Sequence, residues 1–529
     1  MKFNFFKSNF CVFFLFILTG GLYSSYVSQE IYWDFAHYHY YNAWAFLNGR
    51  TFTDLAPAGI HSYFNPLLDL PLYTLLEFFN LYPKIIFFYQ GLWAGALWFL
   101  VYKLVSLILP SQMPIQRVGI FCACIFSVLG FAIVRQIGTS TNEIQLAVLF
   151  LTAVYFILKS CFINHKFCPK TMFFSALMLG AACGLKLTII PMVFALGIVS
   201  LFFFKNLPAY KKTFILMFFG GLVGFLLTNG WWMWQLWTHF ENPLFPFANN
   251  FFKSPYMPLE NYRDTNFLPT TLSMWLFYPF YWLFDSKLVT DVFSSNFQYV
   301  LTYVCVIVLG LLLLMRKISL SKIQLFVLCF WITAYILWLG LFSILRYGAI
   351  LEAFNGIFVV LAIQLLVHQR SFQLILYMLV LIYSLMMPFS YGKWVYYKDY
   401  SFGVYYAIEP YQIVDDAVVI FYGSPVTIVG TKLKTKARYI GVKQSFEQDP
   451  NKNFILFQNE KQKILSDPNT KIVVIGLGNF LNDDIITQPG ISCKHIGNTL
   501  YLNSYGICPP PDADGVVRGY KASLLKIKL

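Results

Sequence analysis

Three residues near the start of the chain could do acid–base chemistry. They are Asp34, His37 and His39 in the stretch YWDFAHYHYYNAWAFLNGR, residues 32–50, which follows an apolar run at residues 10–27. A carboxylate beside a bilayer needs a partner or a function. The imidazoles could hydrogen-bond it, bind a metal with it as a D-x-x-H-x-H set, or anchor the membrane interface. On an α-helix Asp34 and His37 share a face at i, i+3, while His39 points elsewhere. An ordinary loop acid at a membrane surface is the plain alternative. A second acid, Glu143, lies in RQIGTSTNEIQ (135–145), where Arg135 is the only other charge. Here Ser140 or Thr141 can begin a helix with Glu143 in its first turn. Two lone bases complete the set. Lys186 in GLKLT interrupts a pair of apolar segments, and Arg346 in ILRYGAILEAFNG stands near Glu352, with which a simple salt bridge is the plain reading. A base inside a membrane is a candidate functional group, and bases facing a cavity suit an anion such as a phosphate.

The elements that must hold these residues are membrane helices. Of the 529 residues 58% are hydrophobic and 12% charged, against about 25% charged in a soluble domain. Apolar segments of spanning length occur near residues 10–27, 85–102, 118–134, 144–158, 171–187, 189–204, 213–231, 298–315, 323–342, 353–367 and 372–390. That predicts a polytopic α-helical membrane protein with about eleven transmembrane helices of ~20 residues or slightly fewer. The first segment lacks a clear cleavage site and is read as a retained signal anchor. The net charge of +14 could suggest nucleic acid, but the bases sit in short clusters between apolar runs, the positive-inside pattern, which argues for no nucleic-acid partner. With the N-terminus in the cytoplasm, the inner segments hold fourteen bases, from Lys2 to Arg370, and no acid. All twelve acids before residue 392 then fall on the outer side. Carboxylate chemistry is therefore expected on the outer face.

Residues 65–82, NPLLDLPLYTLLEFFNLY, are apolar but carry Pro66, Asp69, Pro71 and Glu77. They are read as an amphipathic helix on the outer interface. The domain organisation expected is a transmembrane domain, 1–391, with large outer loops at 28–84 and 235–296, followed by an extracytoplasmic domain, 392–529. The second loop is too rich in Pro for long helix, and MWLFYPFYWLF near its end suggests a segment lying on the membrane. The last domain has 16 bases and 12 acids and short β-type runs, DAVVIFYG, VTIVGT, KIVVIGLG and NTLYLNS, which predict a small α/β fold. Of ten cysteines only Cys493 and Cys508 lie outside, flanking the hairpin-like CKHIGNTLYLNSYGIC. An oxidising compartment favours a disulfide between them.

In order and sidedness, these motifs resemble the GT-C glycosyltransferases, integral membrane enzymes that use polyprenyl-phosphate-linked sugars. The resemblance rests on Asp34 in the first outer loop, the Pro-led YFNPLLDLPLYTLL, the acid-led TSTNEIQLAV, GLKLT, the large loop with NPLFPFANNFFKSPY and RDTNFLP, and a late outer RY. It covers about the first 390 residues. It implies a sugar transfer to a glycan, lipid or protein acceptor on the outer face of the inner membrane. Asp34 then matches the first-loop catalytic aspartate, as general base or as the group that orients the acceptor nucleophile, and Glu143 the second-loop acid, where many members have Asp. Lys186 and Arg346 would hold the lipid phosphate, and His37, His39, Tyr40 and Asn42 would shape the sugar or acceptor pocket. Some members use a divalent cation and many need no metal; this sequence fits either. An O-antigen polymerase or ligase shares the compartment and the lipid-linked substrate. A flippase or transporter would carry its polar groups at mid-membrane, whereas these acids cluster at the outer face.

Overall fold

A bilayer offers no water to backbone N–H and C=O groups, so apolar segments must close their hydrogen bonds internally, as helices. The computed structural model of the chain describes residues 5–27, 33–165, 167–207, 209–260, 263–291, 294, 296–391, 408, 410–444, 455–477, 494–496, 505–508, 512–514, 516–518 and 520–521. Each of the eleven apolar segments contains helix. Among the described residues nine helices are long and apolar enough to span: Asn9–Val27, Pro83–Ile108, Glu143–Ile163, Leu187–Phe204, Tyr210–Phe240, Phe297–Leu314, Lys322–Leu341, Leu345–Leu366 and Arg370–Phe389. The other two, Pro114–Val128 and Pro169–Leu185, are shorter apolar helices.

The chain forms two compact units. One comprises Met1–Gln29, Phe87–Gly230 and Asp264–Trp394; the other comprises Glu30–Ile86, Trp231–Arg263 and Val395–Leu529. In the first unit the span Leu345–Leu366 is the most enclosed, with 83% of its apolar window buried against 17% for Arg370–Phe389. Helices approach closely where side chains are missing. A Cβ on Gly180 would lie 1.9 Å from the Gly221 carbonyl oxygen, and one on Gly224 would lie 2.0 Å from that of Leu177. Small residues let membrane helices pack backbone to backbone.

The expected helix at 118–134 is interrupted. Pro114–Val128 ends, Gly130 is extended, and a single turn Phe131–Val134 follows. The cause is Glu352, whose carboxylate accepts from the N–H groups of Ala132 and Ile133 at 3.0 Å each. A Cβ on Gly130 would meet that carboxylate at 2.3 Å. The segment MWLFYPFYWLF lies in the helix Leu272–Phe284, which is kinked at Phe277 ahead of Pro279, as expected where proline removes a donor.

The second unit is built from three stretches of chain. Its largest sheet places Arg438–Val442, Ala417–Tyr422 and Lys471–Leu477 in parallel, in that spatial order. Tyr505–Cys508 and Lys494–Ile496 continue it antiparallel. The runs DAVVIFYG and KIVVIGLG thus contain the strands Ala417–Tyr422 and Lys471–Leu477, and Lys494–Ile496 pairs with Tyr505–Cys508. VTIVGT is instead the 3-10 helix Thr427–Lys432, because Gly430 packs against the Phe421 and Tyr439 rings of the sheet and the sheet edge is taken by Arg438–Val442. NTLYLNS lies outside the described residues. Cys508 is disulfide-bonded; Cys493, its expected partner, also lies outside them. Leu55 of the first loop adds to the sheet edge, donating to the Tyr439 carbonyl at 2.8 Å and accepting from the Gly441 N–H at 3.1 Å. The core beneath joins Leu55, Ile60 and Tyr63 to Trp232, Leu236 and Phe240 and to Ile420, Ile440 and Val474. In the Pro-rich loop, the buried Asn249 amide donates to the carbonyls of Ser254, Met257 and Pro258.

Residues 65–82 form a 3-10 turn, Pro66–Leu68, and the helix Leu70–Phe79. Ten residues rise only about 15 Å, half of a ~30 Å hydrocarbon core, so this helix does not span.

Candidate functional site

The second unit carries five of the residues singled out by sequence. Asp34 precedes a π-helical segment, Phe35–His39, in which the Tyr40 N–H bonds the Phe35 carbonyl five residues back; Tyr40–Leu47 then continues as α-helix. Short π segments recur at functional sites. This one changes which side chains share a face. The α-helical expectation pairs Asp34 with His37 at i, i+3; the i→i+5 bond that is seen pairs Phe35 with Tyr40. Asp34, His37, His39, Tyr40 and Asn42 are all buried.

Their partners come from the segment that looked amphipathic. His39 Nδ1 lies 2.8 Å from Asp69 Oδ1, both side chains less than a tenth exposed. The Tyr40 hydroxyl donates to Glu77 Oε1, which also receives Lys432 Nζ at 3.1 Å. The Asn42 amide donates to the His61 carbonyl at 2.7 Å. His37 sits among rings, with centroids 4.3 Å from Trp33 and 5.2 Å from His61, while Tyr38 stacks on His61 at 4.8 Å. Burial, reinforced by repulsion from His61, pushes His37 well below the ordinary imidazole value of 6.5, so this ring packs as a neutral group. Nearby, Arg50 grips Asp54 through Nε at 2.9 Å and Nη2 at 2.7 Å, and Tyr41 donates to the same carboxylate at 2.7 Å.

The first unit carries Glu143, Lys186 and Arg346. The helix Glu143–Leu158 starts at Glu143, as expected, but its N-cap is Asn142, in a left-handed conformation with φ 70°. Thr141 is not the cap because its hydroxyl donates to Gln136 Oε1 at 2.8 Å, while Gln136 Nε2 donates to the Arg346 carbonyl at 2.8 Å. Gln136 thus ties the turn bearing Glu143 to the turn bearing Arg346. Lys186, extended between the helix Pro169–Leu185 and the turn Leu187–Ile189, reaches Glu143 Oε1 at 2.5 Å and the Thr141 carbonyl at 2.8 Å. The second oxygen of Glu143 is buried with no hydrogen-bond partner among the described residues. A cleft here is lined by Glu143, Leu146, Thr188, Ile189, Met192, Tyr347, Ala349 and Ile350. The Arg346 guanidinium lies over the Tyr347 ring, 5.2 Å from its centroid. Glu352 is engaged by backbone N–H groups rather than by a plain salt bridge of the kind the sequence suggested.

Among the described residues no group of three or more His, Cys, Asp or Glu side chains is disposed to hold a metal ion. Sequence reasoning missed Asp69, Glu77, His61 and Gln136. The first two were visible as charges spoiling an apolar segment. His61 and Gln136, which act through ring contacts and a side-chain amide, carry no pattern in the sequence.

A multi-pass helical bundle with acid-bearing loops and a small sheet-containing unit is the GT-C architecture, and the chain has that fold. No family model and no curated protein sequence matches the chain. The crystal structure of ArnT from Cupriavidus metallidurans in the apo state is similar over 93% of this chain and 97% of that one, with a TM-score of 0.52 at 11% sequence identity. At that identity the likeness establishes the fold.

Proposed function

We propose that the protein is a glycosyltransferase that moves a sugar from a polyprenyl-phosphate donor to a glycan, lipid or protein acceptor on the outer face of the inner membrane. The observation that carries this reading is the Glu143–Lys186 pair beside a cleft lined mainly by apolar side chains in a chain with the GT-C fold. ArnT, the similar structure, is itself a GT-C glycosyltransferase. Transfer needs three things: an acceptor hydroxyl held for attack, positive charge for the departing phosphate, and an apolar surface for the lipid. Asp34 orients the acceptor for attack on the anomeric carbon. The bond from that carbon to the phosphate oxygen breaks, and the polyprenyl phosphate leaves with the electron pair. Lys186 has three N–H donors; Glu143 and Thr141 take two, leaving one for a phosphate oxygen. Arg346 offers a second cation. The fourteen inner bases support an N-terminus in the cytoplasm and an extracytoplasmic C-terminal domain.

The test is mass spectrometry of surface glycans and lipid-linked sugars with and without the gene, and with Asp34→Asn in its place. Loss of one sugar with accumulation of its lipid-linked form is expected in both. Normal product from a well-expressed Asp34→Asn protein would overturn the mechanism.

A further inference from the structure

The dyad formed by His39 and Asp69 has the geometry of a proton-handling pair, and the transfer scheme above leaves the acceptor's proton without a destination. We propose that His39 Nε2 accepts the proton of the acceptor hydroxyl, with Asp69 as its positioning residue and Asp34 orienting the same hydroxyl; this rests on the transferase reading.

The argument starts from one contact. An ionised carboxylate only accepts hydrogen bonds, so the 2.8 Å contact to Asp69 Oδ1 places the hydrogen on His39 Nδ1. The tautomer follows from the network, as it must where hydrogens are inferred. In the neutral ring Nε2 then carries the lone pair. That atom is buried and has no hydrogen-bond partner among the described residues. An acceptor left in that state costs free energy, which a substrate hydroxyl would restore. Asp69 is itself fixed at the start of the helix Leu70–Phe79 and is less than a tenth exposed, so the ring is held from one side by a rigid element.

His39 closes a π-helical segment that begins just after Asp34, and His37 lies in the ring cluster of Trp33 and His61. The two histidines differ in partner: His37 bonds the Ala58 backbone, whereas His39 Nδ1 faces a carboxylate, Asp69 Oδ1, at 2.8 Å. Titratable groups packed near the His39 ring include Asp69 and Tyr38, the latter with its centroid 4.3 Å away and further ring contacts on His37, His61 and Phe64. An imidazole is also better matched than a carboxylate to taking a proton near neutral pH. The step balances. The acceptor oxygen bonds the anomeric carbon, the carbon–phosphate oxygen bond breaks with its pair going to the phosphate, and the hydroxyl proton passes to Nε2. Asp69 stabilises the imidazolium, which returns its proton to water after product leaves.

The test uses the full-length protein in lipid nanodiscs. The probes are the lipid-linked sugar fraction, as donor, and the membrane glycan, lipid and protein fraction, as acceptor, both from cells lacking the gene, with release of polyprenyl phosphate and sugar gained by the acceptor fraction followed by mass spectrometry from pH 5 to 9. His39→Gln is expected to lower kcat/KM by about 10²-fold or more and to abolish the acid limb of the profile. Asp69→Asn is expected to lower kcat with little change in KM. In His39→Ala, added imidazole is expected to restore part of the rate, which a purely structural role would not allow. A folded His39→Gln protein that keeps the wild-type rate and acid limb overturns the proposal. If Asp34→Asn is inactive in that same assay, only His39 is removed from the mechanism; if Asp34→Asn is also fully active, the transferase mechanism falls with it.

Discussion

His37 is the residue at which mild acid is expected to act on stability. Its folded-state value is depressed well below 6.5 by burial and by His61. Above 6.5 both folded and unfolded chains hold a neutral ring, and the contribution is intact. As pH falls below 6.5 the unfolded chain binds a proton that the folded chain refuses, and stability is lost progressively, at up to about 1.4 kcal/mol per pH unit. His37→Gln is expected to flatten that slope in thermal unfolding between pH 5 and 8; an unchanged slope would place the acid sensitivity elsewhere. Glu143 and Lys186 make a second residue-scale case. Glu143 is 6% exposed, so Lys186→Met would strand a buried carboxylate at a cost on the order of 3 kcal/mol, while adding Glu143→Gln is expected to recover part of it. The two single variants and the double variant, compared by unfolding, measure that coupling. The chemistry-bearing residue types were legible in sequence because charges are rare in an apolar chain and each one stands out. Their pairings were not. The acids of residues 65–82 were readable as interfacial, yet nothing in their spacing announces that Asp69 meets His39 or that Glu77 meets Tyr40, because those contacts span 30 and 37 residues.

At the scale of elements, hydropathy fixed where helices exist, since a bilayer leaves an apolar segment little alternative. It did not locate their defects. The break at Gly130 depends on a carboxylate 222 positions away, and the π turn at Phe35–His39 inserts one residue into a pattern that looks regular. Both defects sit beside candidate site residues: Glu352 anchors the turn that leads to Gln136 and Glu143, and the π turn runs from Phe35 to His39, just after Asp34. Gly130→Ala is therefore expected to disturb Glu352 and to destabilise the first unit by about 1–3 kcal/mol, the range for overpacking a filled site. The glycine crossing tests the helices themselves. Gly180→Val must push its helix off the Gly221 carbonyl, now 1.9 Å from where a Cβ would stand, and is expected to lower the unfolding temperature. Gly197→Val, which meets nothing within 4 Å, is the matched control on the next helix.

At the scale of the molecule, the C-terminal strands were recognisable from β-branched runs, and their sheet is the part of the second unit that sequence made visible. That the first loop completes this sheet was not visible, because a single residue, Leu55, makes the junction. The consequence is a dependence of the first loop on the end of the chain. Arg50 extends it: the guanidinium that grips Asp54 also donates to the Ala437 carbonyl at 2.5 Å and lies 4.1 Å from the Tyr439 ring centroid, and Asp54 accepts from the Tyr439 N–H at 2.9 Å. Removing residues 408–529 would strip Leu55, Ile60 and Tyr63 of their sheet-side core and leave the Arg50–Asp54 pair without its outer partners. The truncated protein is expected to insert in the membrane, because its spans remain, but to lose sugar transfer and to become cleavable by protease within residues 28–84. Arg50→Met, which keeps most of the side-chain bulk but none of its donors, is the milder version, expected to raise protease sensitivity in the same loop. If that loop stays resistant after truncation and transfer persists, the first loop holds its conformation unaided, and the C-terminal sheet serves some purpose other than supporting Asp34 and His39.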